Sequence, residues 1–175
     1  MPALPDGATM QSTLIILSGL PGTGKTTIAR ALAKTIGATH LRIDTIEQTL
    51  RNAGLADITD EGYRIAFALA EDNLRLGQTV IADSVNPIAL TRDAWRAVAA
   101  RIGTKYLDVE IICSDKVEHR RRVESRATDI EGHKLPSWTD VTSREYHTWD
   151  RTRLVIDSAQ ETAGQAVQRV TAALS

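Results

Sequence analysis

The chain has 175 residues, 42% of them hydrophobic and 25% charged, with a net charge of −1 and one cysteine. That length suits one domain burying about 70% of its unfolded surface. The charge leaves no overall basic field to draw nucleic acid or membrane, and a lone cysteine excludes an internal disulfide. No run approaches the roughly 18 apolar residues of a membrane span, and no basic-then-apolar leader opens the chain, so a reducing cytoplasm is the expected compartment.

Residues 1–11, with two prolines, one glycine and no period, read as a flexible tail before a single domain over residues 12–175. Thr13-Leu-Ile-Ile-Leu17 is short, apolar and rich in β-branched residues, the pattern of a buried parallel strand. It runs into Gly19-Leu-Pro-Gly-Thr-Gly-Lys-Thr-Thr27, which fits the phosphate-loop pattern G-x-x-x-x-G-K-[ST] at Gly19, Gly24, Lys25 and Thr26. Ile28, Ala29, Leu32, Ala33 and Ile36 then recur at helical spacing, and Gly37 is the stop.

The physics of that loop defines a ligand. Gly19, Gly22 and Gly24 let the backbone curl until successive N–H groups form a nest for phosphate oxygens, with Pro21, Thr23 and Thr27 completing the cradle. Lys25 faces the β- and γ-phosphates as a point charge, the Thr26 hydroxyl is a ligand for Mg²⁺, and the following helix adds its positive N-terminal dipole. A glycine turn joining two core elements is the bland alternative, but strand, loop and helix stand in the order the motif requires. ATP with Mg²⁺ is the expected ligand.

Further along, His40-Leu-Arg-Ile43 reads as a second strand ending at Asp44, followed by a helix through Ile46 and Leu50. Thr59-Asp60-Glu61 opens a third helix with an apolar stripe of Ile65, Ala66, Leu69, Ala70 and Leu74. Thr79-Val-Ile-Ala82 is a third strand ending at Asp83, and Asn86-Pro87 reads as cap and first residue of a helix through Trp95 and Val98. Lys105 to Cys113 is a fourth strand, and a basic helix follows from Asp115 to about Arg126. Residues 127–136 have no period and read as a mobile loop. Ser137 and Asp140 form a capping pair for a helix bearing Val141, Arg144, Glu145 and Trp149. A fifth strand at Leu154-Val-Ile156 and a helix marked by Val167, Val170 and Leu174 close the chain. The alternation predicts an α/β fold, a five-stranded parallel sheet flanked by helices, with ligands beyond the carboxyl ends of the strands.

That rule singles out Asp44 and Asp83. Beside Mg·ATP, one carboxylate can orient or deprotonate an acceptor hydroxyl and the other can hold Mg²⁺. Each also has a plainer reading, Asp44 as a helix cap and Asp83 as the partner of its own turn. Arg122 and Arg126 fall one turn apart on one helix face, where an arginine can stabilise a migrating phosphoryl group. The plainer reading there is a solvated face paired with Glu118 and Glu124.

The glycine loop, Arg42-Ile-Asp44, Val-Ile-Ala-Asp83-Ser84 and the segment with Arg122 and Arg126 resemble small P-loop kinases. The nearest shapes are the 5′-hydroxyl kinase domain of phage polynucleotide kinase and chloramphenicol phosphotransferase. The resemblance covers roughly residues 13–126 and, more weakly, the last strand and helix. It implies a P-loop kinase fold with a small lid at about residues 120–137, Asp44 as general base and Arg126 as a lid arginine. Thr26 and Asp83 are the metal candidates. The polynucleotide kinase pattern carries an arginine one turn past the aspartate, where this chain has Glu47. A carboxylate there repels a nucleic-acid phosphate, which tilts the expected acceptor toward a small hydroxylated molecule. A polynucleotide 5′-hydroxyl kinase and a non-kinase ATPase are the alternatives; no Asn-Lys-x-Asp motif supports a GTPase.

Overall fold

The computed structural model describes residues 12–174, so the expected tail over residues 1–11 lies outside the described residues. Five strands form one parallel sheet: β1 (Thr13–Ser18), β2 (Thr39–Arg42), β3 (Val80–Asp83), β4 (Lys105–Ile112) and β5 (Leu154–Asp157), in the order β2-β3-β1-β4-β5. Among the described residues seven helices connect and flank them: α1 (Lys25–Ile36), α2 (Ile43–Asn52), α3 (Glu61–Arg75), α4 (Ala89–Ile102), α5 (Lys116–Ser125), α6 (Trp138–Thr142) and α7 (Ala163–Ala172).

Strand alternation divides the core into two layers. Leu14, Ile16, Leu41, Val80 and Ala82 face Ala66, Ala70 and Leu74 of α3 and Trp95, Val98 and Ala99 of α4. Ile15, Leu17, Ile81, Val109, Ile111 and Ile156 face Ile28, Ala29 and Leu32 of α1 and Val167 and Val170 of α7. Central β1 is buried at all six positions, which is why its sequence runs apolar without alternation. By the same parity, His40, Arg42 and Asp83 belong to the α1 side of the sheet.

The structure corrects four local readings. The apolar stripe of α3 is Ala66, Ala70 and Leu74 with Tyr63 and Phe67 beside it, while Ile65 and Leu69 are 38% and 42% exposed. The Phe67 ring meets Trp95 edge-on at 4.6 Å, so aromatic packing sets the rotation of α3 more than the count of aliphatic residues. Asn86 is not a cap: it is fully buried at φ 45°, and its Nδ2 donates to the Leu17 carbonyl at 2.9 Å, bracketing the β3–α4 loop against β1. The helix begins later, with Ile88 as N-cap. The Ser137–Asp140 capping box is present, but α6 ends at Thr142, leaving Arg144, Glu145 and Trp149 in an irregular strap. Arg92 of α4, buried against the Trp149 face at 4.1 Å, holds that strap by donating to His147 O at 3.0 Å. Finally, β2 stops at Arg42, which places Asp44 inside the first turn of α2.

Candidate active site

The phosphate loop is built by close approach. Gly19 has φ 142°, its N–H donates to Val85 O at 3.0 Å, and a Cβ there would stand 2.1 Å from the Ile111 carbonyl oxygen. Gly22 has φ 84°, and its Cβ would stand 2.5 Å from Val123 of α5. Gly24 caps α1, so the helix dipole points into the loop. The Thr23 hydroxyl and Lys25 Nζ both donate to Leu20 O at 2.9 Å, and His119 Nε2 donates to Pro21 O at 2.8 Å. Lys25 is buried, and loss of water lowers its pKa to about 8; Asp83 and Asp44 offset part of this, while Arg126 and Arg144 add to it.

Asp83 ends β3 at 3% exposure. Burial pushes its carboxyl up, but the His40 hydrogen bond, the Lys25 charge and the Thr26 hydroxyl outweigh it and hold the group below its ordinary value. It is therefore an ionised carboxylate beside the hydroxyl of the phosphate-loop threonine, a pair of hard oxygen donors suited to a small divalent cation.

An open cleft of about 1220 Å³ runs from this point across the carboxyl ends of the strands. Pro21, Gly22, Gly24, Lys25, Thr26 and Thr27 form one wall. Asp44, Glu47, Gln48 and Arg51 of α2 form the second, and Arg122, Arg126, residues 127–129 and 132–136 and Arg144 form the third. Asp44 is half-buried and makes no side-chain cap bond; Arg42 holds the N-cap position. The capping role that Asp44 was open to is thus not used, and its charge acts on Lys25, Arg126 and Glu47. Burial raises the pKa of Glu47, Arg51 opposes it, and Asp44 adds to it.

The arginines of α5 divide by partner. Arg120 pairs with Glu124 and Arg121 with Glu118, as a solvated face would. Arg122 lines the cleft, but Glu118 takes its Nε at 2.7 Å and Ser158 takes Nη1 and Nη2 at 2.8 and 3.0 Å, tying α5 to the β5–α7 turn. Arg126 is different: it is the C-cap just past α5, with extended backbone (φ −72°, ψ 141°), so it does not share a helix face with Arg122 as its spacing suggested. Its Nε has no partner among the described residues, and burial lowers its pKa while Asp44 raises it and Arg42 lowers it further.

Residues 127–136 fold back over the cleft and are fastened there. Asp129 accepts from Arg42 Nη1 at 2.9 and 3.0 Å and from Arg30 of α1, and Asn52 Nδ2 reaches Glu131 O at 3.3 Å. The hydrogen bonds from Arg30 and Arg42 hold the Asp129 carboxyl well below the usual range. His133 and Lys134 lie in this wall too.

Sequence reasoning missed four contributors. His40 and Asp129 act through partners far along the chain, which no local motif announces. Arg144 read as part of a helix that ends before it. Tyr63 packs in the α3-side core behind Ser84, which lines the cleft, and burial pushes its hydroxyl up to about 12.

The fold and the site define a P-loop nucleotide-binding domain of the small-kinase type. The chain belongs to the family described as "AAA domain", whose model matches residues 14–144. It is 27% identical over 157 residues to the Aeropyrum pernix protein named "Probable adenylyl-sulfate kinase", covering 85% of each chain. The Mycobacterium tuberculosis APS kinase in complex with AMPPNP and APS superposes with a TM-score of 0.71 at 20% identity, covering 94% of this chain and 98% of that one. A gluconokinase from Sinorhizobium meliloti gives 0.61 at 19% identity, covering 94% and 92%. At such identities the structural likenesses establish the fold, which is that of small P-loop kinases.

Proposed function

We propose that the protein is an ATP-dependent kinase transferring the γ-phosphate to a hydroxyl of a small molecule. The observation that carries this is the entry of Asp44 into the cleft that holds Lys25, near enough to act on its charge and with no capping role to occupy it. The loop N–H groups and Lys25 bind the phosphates, and Arg126 faces the migrating group with Nε unengaged. Asp44 accepts the hydroxyl proton as the bond to phosphorus forms. Thr26 and Asp83 are the residues that would hold Mg²⁺, which when bound neutralises phosphate charge. The lid expected at about residues 120–137, of which residues 120–125 belong to α5, would exclude water and deliver Arg126.

A small acceptor is supported by the names of the relatives and by Glu47, which stands in the cleft one turn beyond Asp44 paired with Arg51 at 3.4 Å, so this position offers a polynucleotide phosphate no cation of its own. The test is transfer of label from γ-labelled ATP to panels of hydroxylated metabolites, antibiotics and 5′-hydroxyl oligonucleotides. Labelling of a small molecule is the expected result. Labelling of oligonucleotides alone, or ATP hydrolysis with no acceptor labelled, would overturn the reading.

A further inference from the structure

Strand β2 carries His40, Arg42 and, just past its end, Asp44 at alternate positions. Arg42 engages Asp129 and Asp44 enters the cleft, while His40 lines no part of it and reaches the site only through Asp83. It pairs with Ile81 in register, one step back from Asp83, on the side of the sheet facing α1. An apolar side chain there would extend the packed layer next to Ile81. Histidine instead places Nε2 at 3.0 Å from Asp83 Oδ2. Because an ionised carboxylate only accepts, Nε2 carries the hydrogen and donates it.

The geometry points to His40 as a positioning residue for the Asp83 carboxylate. A carboxylate at a strand end can rotate about its Cβ–Cγ bond; a donor fixed on the neighbouring strand pins one oxygen and sets the plane of the group. Lys25 and Thr26 act on the same carboxylate from the phosphate loop, so it is held between the edge of the sheet and the loop. Second partners of this kind orient metal-ligating carboxylates, and losing one costs about 10–100-fold in metal affinity. His40 would thus set how tightly Mg²⁺ joins the bound nucleotide, without touching nucleotide itself. This rests on the kinase reading, in which Asp83 serves Mg²⁺.

The alternative is a purely structural pair that satisfies a buried acid. Calorimetric titration of ADP into wild type, His40→Leu and His40→Gln, each in EDTA and across a Mg²⁺ series, separates the two, with Mn²⁺ binding followed by electron paramagnetic resonance as a second readout. His40→Leu should bind metal-free ADP within about twofold of wild type and need about 10–100-fold more Mg²⁺ to reach the enhanced affinity. His40→Gln, whose amide can reach the same oxygen, should recover most of that loss. If His40→Leu fails to fold, His40→Asn, polar but too short to reach Oδ2, carries the same comparison. An unchanged Mg²⁺ requirement, or equal losses with and without metal, would overturn the role. Wild type that fails to bind ADP at all would instead count against the kinase reading beneath it.

Discussion

Lys25 Nζ donates to the Leu20 carbonyl oxygen at 2.9 Å, so the cation of the phosphate loop is held by the loop's own backbone. It sits buried with its pKa lowered from 10.5 to about 8, chiefly by loss of water. The unfolded chain binds this proton more tightly than the fold does. Stability should therefore rise with pH between about 8 and 10.5, and the full cost of the charge is present below 8. Replacing Lys25 by Met removes the cost of the buried ammonium but also the charge that compensates the buried Asp83 carboxylate, so the two effects oppose each other at pH 7. The substitution should flatten the rise with pH and abolish triphosphate binding. Melting curves at pH 7 and 10 and titration with an ATP analogue check both halves; wild-type affinity in the mutant would contradict the nucleotide site.

Arg122 and Arg126 should separate by phenotype. Arg122→Ala cuts the link between α5 and the β5–α7 turn and should cost about 1–2 kcal/mol in denaturant unfolding. Arg126→Ala removes a guanidinium whose Nε is unpaired, so it should fold as wild type yet lose at least about 10²-fold in kcat. Equal stability losses and equal rates in the two variants would refute the division.

Asp129 fastens residues 127–136 to Arg30 and Arg42. Its folded pKa is depressed, so the contact is present above the ordinary carboxylate range and is lost only as pH falls through the folded value; it should be insensitive to pH from 5 to 9. The pair is half-exposed, so salt should weaken it. Asp129→Asn should speed hydrogen exchange across residues 127–136 at low ionic strength, and the difference from wild type should shrink in 1 M salt. Unaltered exchange would show that other contacts hold the segment.

The phosphate loop, the parallel sheet and the strand-end position of Asp83 were legible because each follows from local pattern: an apolar run, a fixed glycine spacing, a polar residue at a strand end. Asp44 read as a strand end but stands in the first turn of α2. What was not legible depends on distance in the chain. Asp129 meets Arg30 across 99 residues, and His40 meets Asp83 across 43, so neither pair leaves a local signal. The rotation of α3 was misjudged because Phe67 and Tyr63 pack inward through aromatic contacts that a count of aliphatic residues cannot weigh. Asn86 looked like a cap since Asn-Pro usually is one; its buried bond to Leu17 O overrides that preference.

In the proposed reaction Asp44 serves as the base in the cleft. Asp44→Asn keeps the shape and one oxygen but cannot take a proton, and a positioned base is worth about 10²–10⁴ in rate. Since Arg42 holds the N-cap position and Asp44 makes no cap bond, the substitution should leave helix α2 and the melting temperature unchanged. The decisive measurement is turnover of Asp44→Asn with the acceptor that γ-labelled ATP identifies, alongside its ATP affinity and melting curve. Asp44→Asn should fold normally, bind ATP normally and lose at least about a hundredfold in turnover. A variant that melts earlier yet phosphorylates the acceptor at the wild-type rate would contradict the role of Asp44 as base.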